Sequence, residues 1–170
     1  MNILKLNPGV TGIFKMKKLS RSTNQTLNIG RHIARKLHGG EIILLSGSLG
    51  AGKTVLAKGI AQGLGISKNE VISPSFVLLR IHKGKHSLHH FDLYRLRSPH
   101  DILNLGYEEY FYSDGITIIE WPERLKFLLP KEFLKIKLCI KGKHERDIRF
   151  IAKGLRYKQL LGKISEDIRN

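Results

Sequence analysis

The sequence predicts an α/β three-layer sandwich on a mixed sheet, and three observations predict it. The octapeptide Gly47-Ser48-Leu49-Gly50-Ala51-Gly52-Lys53-Thr54 carries the phosphate-binding pattern G-x-x-x-x-G-K-[ST], between an apolar run and a stretch of helical spacing. A second wholly apolar run, Ile116 to Ile119, reads as another buried strand and ends at Glu120. Strand-like and helix-like segments alternate around the loop, with hairpins added, which gives a layered α/β domain with a P-loop NTPase-like mixed sheet.

Residues 1–20 are a weakly patterned lead-in, read as irregular chain or an edge strand. Ser22 to Gln25 resembles a capping box, and Leu27, Ile29, Ile33, Ala34 and Leu37 recur at helical spacing until Gly39-Gly40 stops them. Glu41 to Ser46 is the buried strand entering the phosphate loop, and Thr54 to Leu64 is the helix leaving it, ended by Gly63 and Gly65. Ser73-Pro74-Ser75-Phe76 is extended, because residues before proline avoid the helical region. Residues 76–82 and 85–91 form a hairpin around Lys83-Gly84. Pro99 to Phe111 reads as one helix and Pro122 to Leu128 as a short one. Phe133 to Ile140 and Arg146 to Ala152 are strands flanking a turn, and a basic amphipathic helix (Tyr157 to Ile168, within 156–170) closes the chain. No linker or repeat divides residues 1–170, which predicts a single domain.

Hydrophobic residues make up 41% of the chain, enough for an ordinary core, and no apolar run approaches the roughly 20 residues that cross a bilayer. No membrane partner and no secretory leader are expected. The single cysteine, Cys139, has no disulfide partner within the chain and reads as a small core residue. A reducing cytoplasm is the simple location. Thirty Lys and Arg against fourteen Asp and Glu give a net charge of +16, spread along the chain. Such a field attracts polyanions, so contact with RNA fits it, as does docking on an acidic protein surface.

The site is read from chemistry. Glycines let the backbone wrap phosphates while the following helix offers free N–H groups and a positive dipole end. Lys53 reaches the β- and γ-phosphates and the Thr54 hydroxyl ligates Mg²⁺. An acidic residue at the carboxyl end of a neighbouring strand must complete the metal site, and Glu120 and Asp92 both qualify. One would lie near the metal and the other would position water. Ser73 to Phe76 reads as a proline turn into a strand, or as a loop whose hydroxyls sense the γ-phosphate. His86, His89 and His90 lack the further ligands that zinc normally requires. Trp121 either packs on a base or enters the core.

The strings Leu49-Gly50-Ala51-Gly52-Lys53-Thr54, Ser73-Pro74-Ser75-Phe76, His90-Phe91-Asp92-Leu93-Tyr94-Arg95-Leu96, Leu105-Gly106 and Ile119-Glu120-Trp121-Pro122-Glu123 occur in the order seen in the TsaE (YjeE) family, and the chain resembles it over about residues 22–155. The resemblance implies a cytoplasmic P-loop ATPase using ATP and Mg²⁺. It would work with a TsaB–TsaD heterodimer that places threonylcarbamoyl (t6A) on the adenosine beside the anticodon of tRNAs reading ANN codons. It also implies that residues 49–54 hold the triphosphate, that Thr54 and Glu120 bind Mg²⁺, and that Asp92 lies by the γ-phosphate. Lys53, Asp92 and Glu120 would be catalytic, Ser75 part of a switch-like loop, and Arg146 close to the nucleotide. Ser48 stands where the family commonly has Asp, and Ser75 where it has Thr. A small-molecule kinase or another P-loop NTPase is the alternative, although the Asn-Lys-x-Asp base-reading motif of a GTPase is absent. A purely RNA-binding module leaves the phosphate loop unexplained, whereas direct tRNA contact fits beside the ATPase that the resemblance implies.

Overall fold

The computed structural model describes residues 13–67, 78–96 and 98–169. Ser73 to Phe76, with the Ser75 hydroxyl expected at the nucleotide, lies outside the described residues, as does most of the lead-in. The described elements run β1 (Ile13–Ser20), α1 (Thr23–Ala34), β2 (Ile42–Ser46), α2 (Lys53–Gly63), β3 (Leu79–His82), β4 (Leu88–Asp92), α3 (Pro99–Leu103), α4 (Glu108–Phe111), β5 (Ile116–Glu120), β6 (Phe133–Ile140), β7 (Arg146–Lys153) and α5 (Leu155–Arg169).

These strands form one seven-stranded sheet in the order β1-β7-β6-β2-β5-β4-β3. The four central strands β6, β2, β5 and β4 are parallel, while β7 and β1 extend one side and β3 the other in antiparallel pairing. β2, β4 and β5 are buried along their whole length, as expected of strands covered on both faces. On one face Ile43, Leu45, Ile118 and Ile136 pack beneath α1, α2 and α5. On the other, Leu44, Phe91 and Ile119 pack beneath the α3–α4 segment with Ile102, Tyr107 and Phe111. The mixed-sheet, three-layer expectation therefore holds.

Of the two readings of the lead-in, the edge strand is the one found, paired over Ile13 to Ser20 with β7. Several details differ from the sequence reading. The helix expected over Pro99 to Phe111 is two short helices, because Gly106 takes φ +62°, a left-handed conformation that interrupts a right-handed helix. Residues 122–128 form two 3-10 turns instead of an α-helix. Ser22 caps α1 by accepting from the Gln25 N–H at 3.1 Å, while the Gln25 carboxamide reaches past it to the Arg21 N–H at 2.7 Å. Cys139 is only partly buried and faces away from the helical layer, opposite Asp147, so it is not a core residue.

α1 and α2 approach unusually closely. A Cβ on Gly30 would stand 2.6 Å from the Leu56 carbonyl oxygen, and one on Gly59 would overlap the Leu27 carbonyl. Glycine at these positions lets the two helix backbones touch, which fixes the height at which α2 presents its N-terminus.

Candidate functional site

The phosphate-loop segment leaves β2 at the carboxyl end of the parallel strands, in the middle of the sheet. Gly50 and Gly52 adopt φ of +74° and +100°, which side-chain-bearing residues rarely take. A Cβ on Gly50 would meet nothing within 4 Å, so backbone conformation and not crowding demands glycine there. The helix that follows begins at Lys53 with Gly52 as its cap and no side-chain cap bond. Its first N–H groups are thus left for an anion, which is where an N-terminus binds phosphate.

Lys53 is buried and donates to the Gly47 and Ser48 carbonyls at 2.8 and 2.9 Å. Its ammonium also lies 3.8 Å from the centroid of the Trp121 ring, a cation–π contact. Burial pulls the Lys53 pKa down, and the carboxylates of Glu120, Glu123 and Asp92 pull against that shift. The indole owes its position to backbone: Trp121 holds φ +60° directly after β5, and its ring tilts against Tyr94 with centroids 5.0 Å apart.

The parallel register sets Asp92 beside Glu120 at the ends of β4 and β5. Both are almost fully buried, at 3% and 2% exposure. One Glu120 oxygen meets the Thr54 hydroxyl at 3.1 Å and the other meets His90 Nε2 at 2.9 Å. Asp92 accepts the Tyr94 N–H at 3.0 Å. Leu49, Gly50, Gly52, Lys53, Thr54, Asp92, Glu120 and Trp121 line one cleft of about 270 Å³, and Ala51 is buried beneath the loop.

Arg146 approaches from β7. Its guanidinium donates to the Ala51 and Gly50 carbonyls at 3.1 and 3.3 Å, and also to Gly142 and Glu145. It therefore ties two carbonyls of the phosphate loop to the turn between β6 and β7. Ser48, the departure from the family pattern, contributes its carbonyl to Lys53.

His90 was missed as a site residue, and alternation could have found it. Residues two apart on a strand share a face, so His90 accompanies Asp92. Its Nδ1 is buried without a hydrogen-bond partner, while Nε2 holds Glu120. This is the arrangement by which a histidine orients a carboxylate from behind. His89 points the other way and contacts Tyr110, and among the described residues no group of three His, Cys, Asp or Glu side chains is placed to hold a metal ion. Among the described residues no helix is long and apolar enough to cross a membrane.

Residues 20–148 match the family described as threonylcarbamoyl adenosine biosynthesis protein TsaE. A relative from Treponema pallidum (strain Nichols), named tRNA threonylcarbamoyladenosine biosynthesis protein TsaE, is 40% identical over 133 residues, covering 78% of this chain and 98% of its own. The protein of the same name from Bacillus subtilis (strain 168) is 38% identical and covers 88% of this chain and 96% of its own. The crystal structure of Bacillus subtilis YdiB superposes with a TM-score of 0.81 at 33% identity, covering 92% of this chain and 98% of that one.

Proposed function

Because the chain belongs to the TsaE family, which acts in tRNA threonylcarbamoyladenosine biosynthesis, we propose that it serves that modification as a Mg²⁺-dependent ATPase partnered by a TsaB–TsaD heterodimer. The observation that carries the reading is the convergence of Lys53, Thr54, Asp92 and Glu120 on one cleft at the mouth of the phosphate loop. The donor set fits Mg²⁺-ATP: a loop of left-handed glycines, an uncapped helix N-terminus, one ammonium, and a hydroxyl–carboxylate pair of hard oxygens.

Thr54 and Glu120 would hold the metal, which when bound neutralises phosphate charge and fixes the triphosphate's orientation. The N–H groups of residues 49–54 would grip the phosphates, and Arg146 keeps that backbone in shape by tying its carbonyls. Lys53 exchanges its two carbonyl partners for phosphate oxygens and places its charge where negative charge develops during transfer. Asp92, buried and fixed by the Tyr94 N–H, orients the attacking water on the γ-phosphoryl side. Attack by that water forms a new P–O bond as the bond to the β-phosphate oxygen breaks, releasing ADP and phosphate. His90 acts through Glu120, holding one oxygen so that the other faces Thr54. Ser75 would add a hydroxyl near the γ-phosphate. ATP turnover supports repeated rounds of tRNA modification and does not itself perform the threonylcarbamoyl transfer.

Lys53→Ala tests the site: ATP hydrolysis should fall by about 10² to 10³-fold, the usual loss when one transition-state stabiliser is removed. A multi-turnover tRNA modification assay with TsaB and TsaD, with and without the chain, tests the role. Equal product in both arms refutes it.

A further inference from the structure

The sheet is covered unevenly. Among the described residues, β1, β7 and β6 carry α5 on one face only, where Ile136, Leu138, Ile148 and Phe150 are buried. Strand alternation turns the intervening residues to the opposite face, on which no helix among the described residues is packed. Register lines them up in rows: Lys17, Arg149 and Lys137 in one, Lys15, Ile151 and Lys135 in the next, then Lys153 beside Phe133. Lys15, Lys17, Lys137 and Lys153 are exposed, and Lys135 and Arg149 are partly so. Six cations thus share this face with one carboxylate, Asp147, which is paired with Arg149 at 2.8 Å. At its border Lys135 shares a small cavity of about 140 Å³ with Lys126 and Glu123.

We propose that this open β1–β7–β6 face is a docking surface for the phosphate backbone of RNA. Sheet geometry spaces its cations about 5 Å apart across strands and about 7 Å along them, a flat grid of positive charge. Protein–protein interfaces are depleted in lysine and enriched in aromatics, methionine and arginine. Five of these six cations are lysines, and apart from Leu19, Phe133, Ile151 and Cys139 the face offers little to bury. That composition favours phosphate over an acidic protein surface. The face adjoins the candidate site, since Lys137 pairs in register with Ser46 at the start of the phosphate loop. RNA held there would lie beside the cleft without occupying it.

The test uses the full chain and an unmodified tRNA transcript in the absence of nucleotide, so it stands apart from any failure of the ATPase reading. Binding is followed by fluorescence anisotropy from about 50 to 200 mM salt, a range over which phosphate contacts dominate the affinity. Each phosphate contact adds about 0.7 to 0.9 to the salt slope, so Lys15→Gln, Lys17→Gln and Lys137→Gln combined should lower it by about 2. Affinity near 0.1 M salt should drop on the order of 100-fold by the same counting. An equal charge change on the helical face, Lys58→Gln, Lys158→Gln and Lys163→Gln combined, should change affinity far less. Should the first variant melt early, Lys15→Gln with Lys17→Gln on the edge strand reads the same slope at two contacts. An unchanged slope, an equal loss in the helical-face control, or no tRNA binding by the wild-type chain overturns the proposal.

Discussion

Replacing Glu120 separates its proposed metal role from its structural one. The carboxylate is 2% exposed and satisfies the Thr54 hydroxyl with one oxygen and His90 Nε2 with the other. Glu120→Gln keeps the shape, an oxygen that can accept from His90, and an amide that can donate to Thr54. It removes only the charge, so stability should change by less than about 1 kcal/mol. Glu120→Ala leaves His90 buried with neither ring nitrogen partnered and opens a space where the side chain stood. An unsatisfied buried group costs about 1–3 kcal/mol, and with the cavity the total is about 2–4 kcal/mol. For a chain of this size that lowers the melting midpoint by about 4–16 °C. Both variants should lose Mg²⁺-dependent hydrolysis by about 10² to 10³-fold. Wild-type protein should also gain about 2.7 kcal/mol from Mg²⁺-ATP at a hundred times its Kd, a gain the Gln variant should lose in large part. Calorimetric melting and a phosphate-release assay on the same preparations read both quantities. Wild-type hydrolysis by Glu120→Gln would falsify the metal assignment. A Gln variant that melts as early as the Ala variant would refute the hydrogen-bonding account.

Two further outcomes follow from packing and charge. Gly59→Ala should gain about 1 kcal/mol of helix propensity, yet its Cβ would overlap the Leu27 backbone of α1, which cannot rotate away. Overpacking of this kind leaves a net loss of about 1–2 kcal/mol, read as a melting decrease of about 2–8 °C; an increase would contradict the helix contact. Acid should destabilise the fold in two stages. Burial lowers the His89 pKa from its ordinary 6.5, so its contribution is present above that pH and is lost as pH falls through the lowered value. His32 on α1 and Lys36 just beyond its end hold the Asp167 pKa below 3.8, so the contribution of that carboxylate is lost only at lower pH still. A His89→Asn variant should show a flatter melting profile between about pH 7 and 5, and an unchanged slope there would refute the first stage.

Much of the site was legible because its chemistry is local in sequence. The phosphate loop is a contiguous octapeptide, and Glu120 and Asp92 stand out as acids closing apolar strands. The same local reading mistook Pro99 to Phe111 for one helix, because apolar spacing does not register the left-handed turn at Gly106. It assigned Cys139 to the core, because the pattern of β6 does not reveal which face lacks a helical cover. His90 was weighed only as a zinc ligand, because its partner Glu120 is thirty residues away and comes within reach only through β4–β5 pairing.

The sequence by itself determined the fold class, the phosphate loop, the two strand-end carboxylates and the resemblance to the TsaE family, since each rests on short-range pattern and residue chemistry. Tertiary structure alone decided that Glu120 spans Thr54 and His90, that Arg146 braces the loop by its carbonyls, and that Trp121 covers Lys53. It also decided that lysines from three strands share one sheet face that no helix among the described residues covers. Those are relations between distant segments, and strand register, which no local pattern encodes, sets which side chains meet.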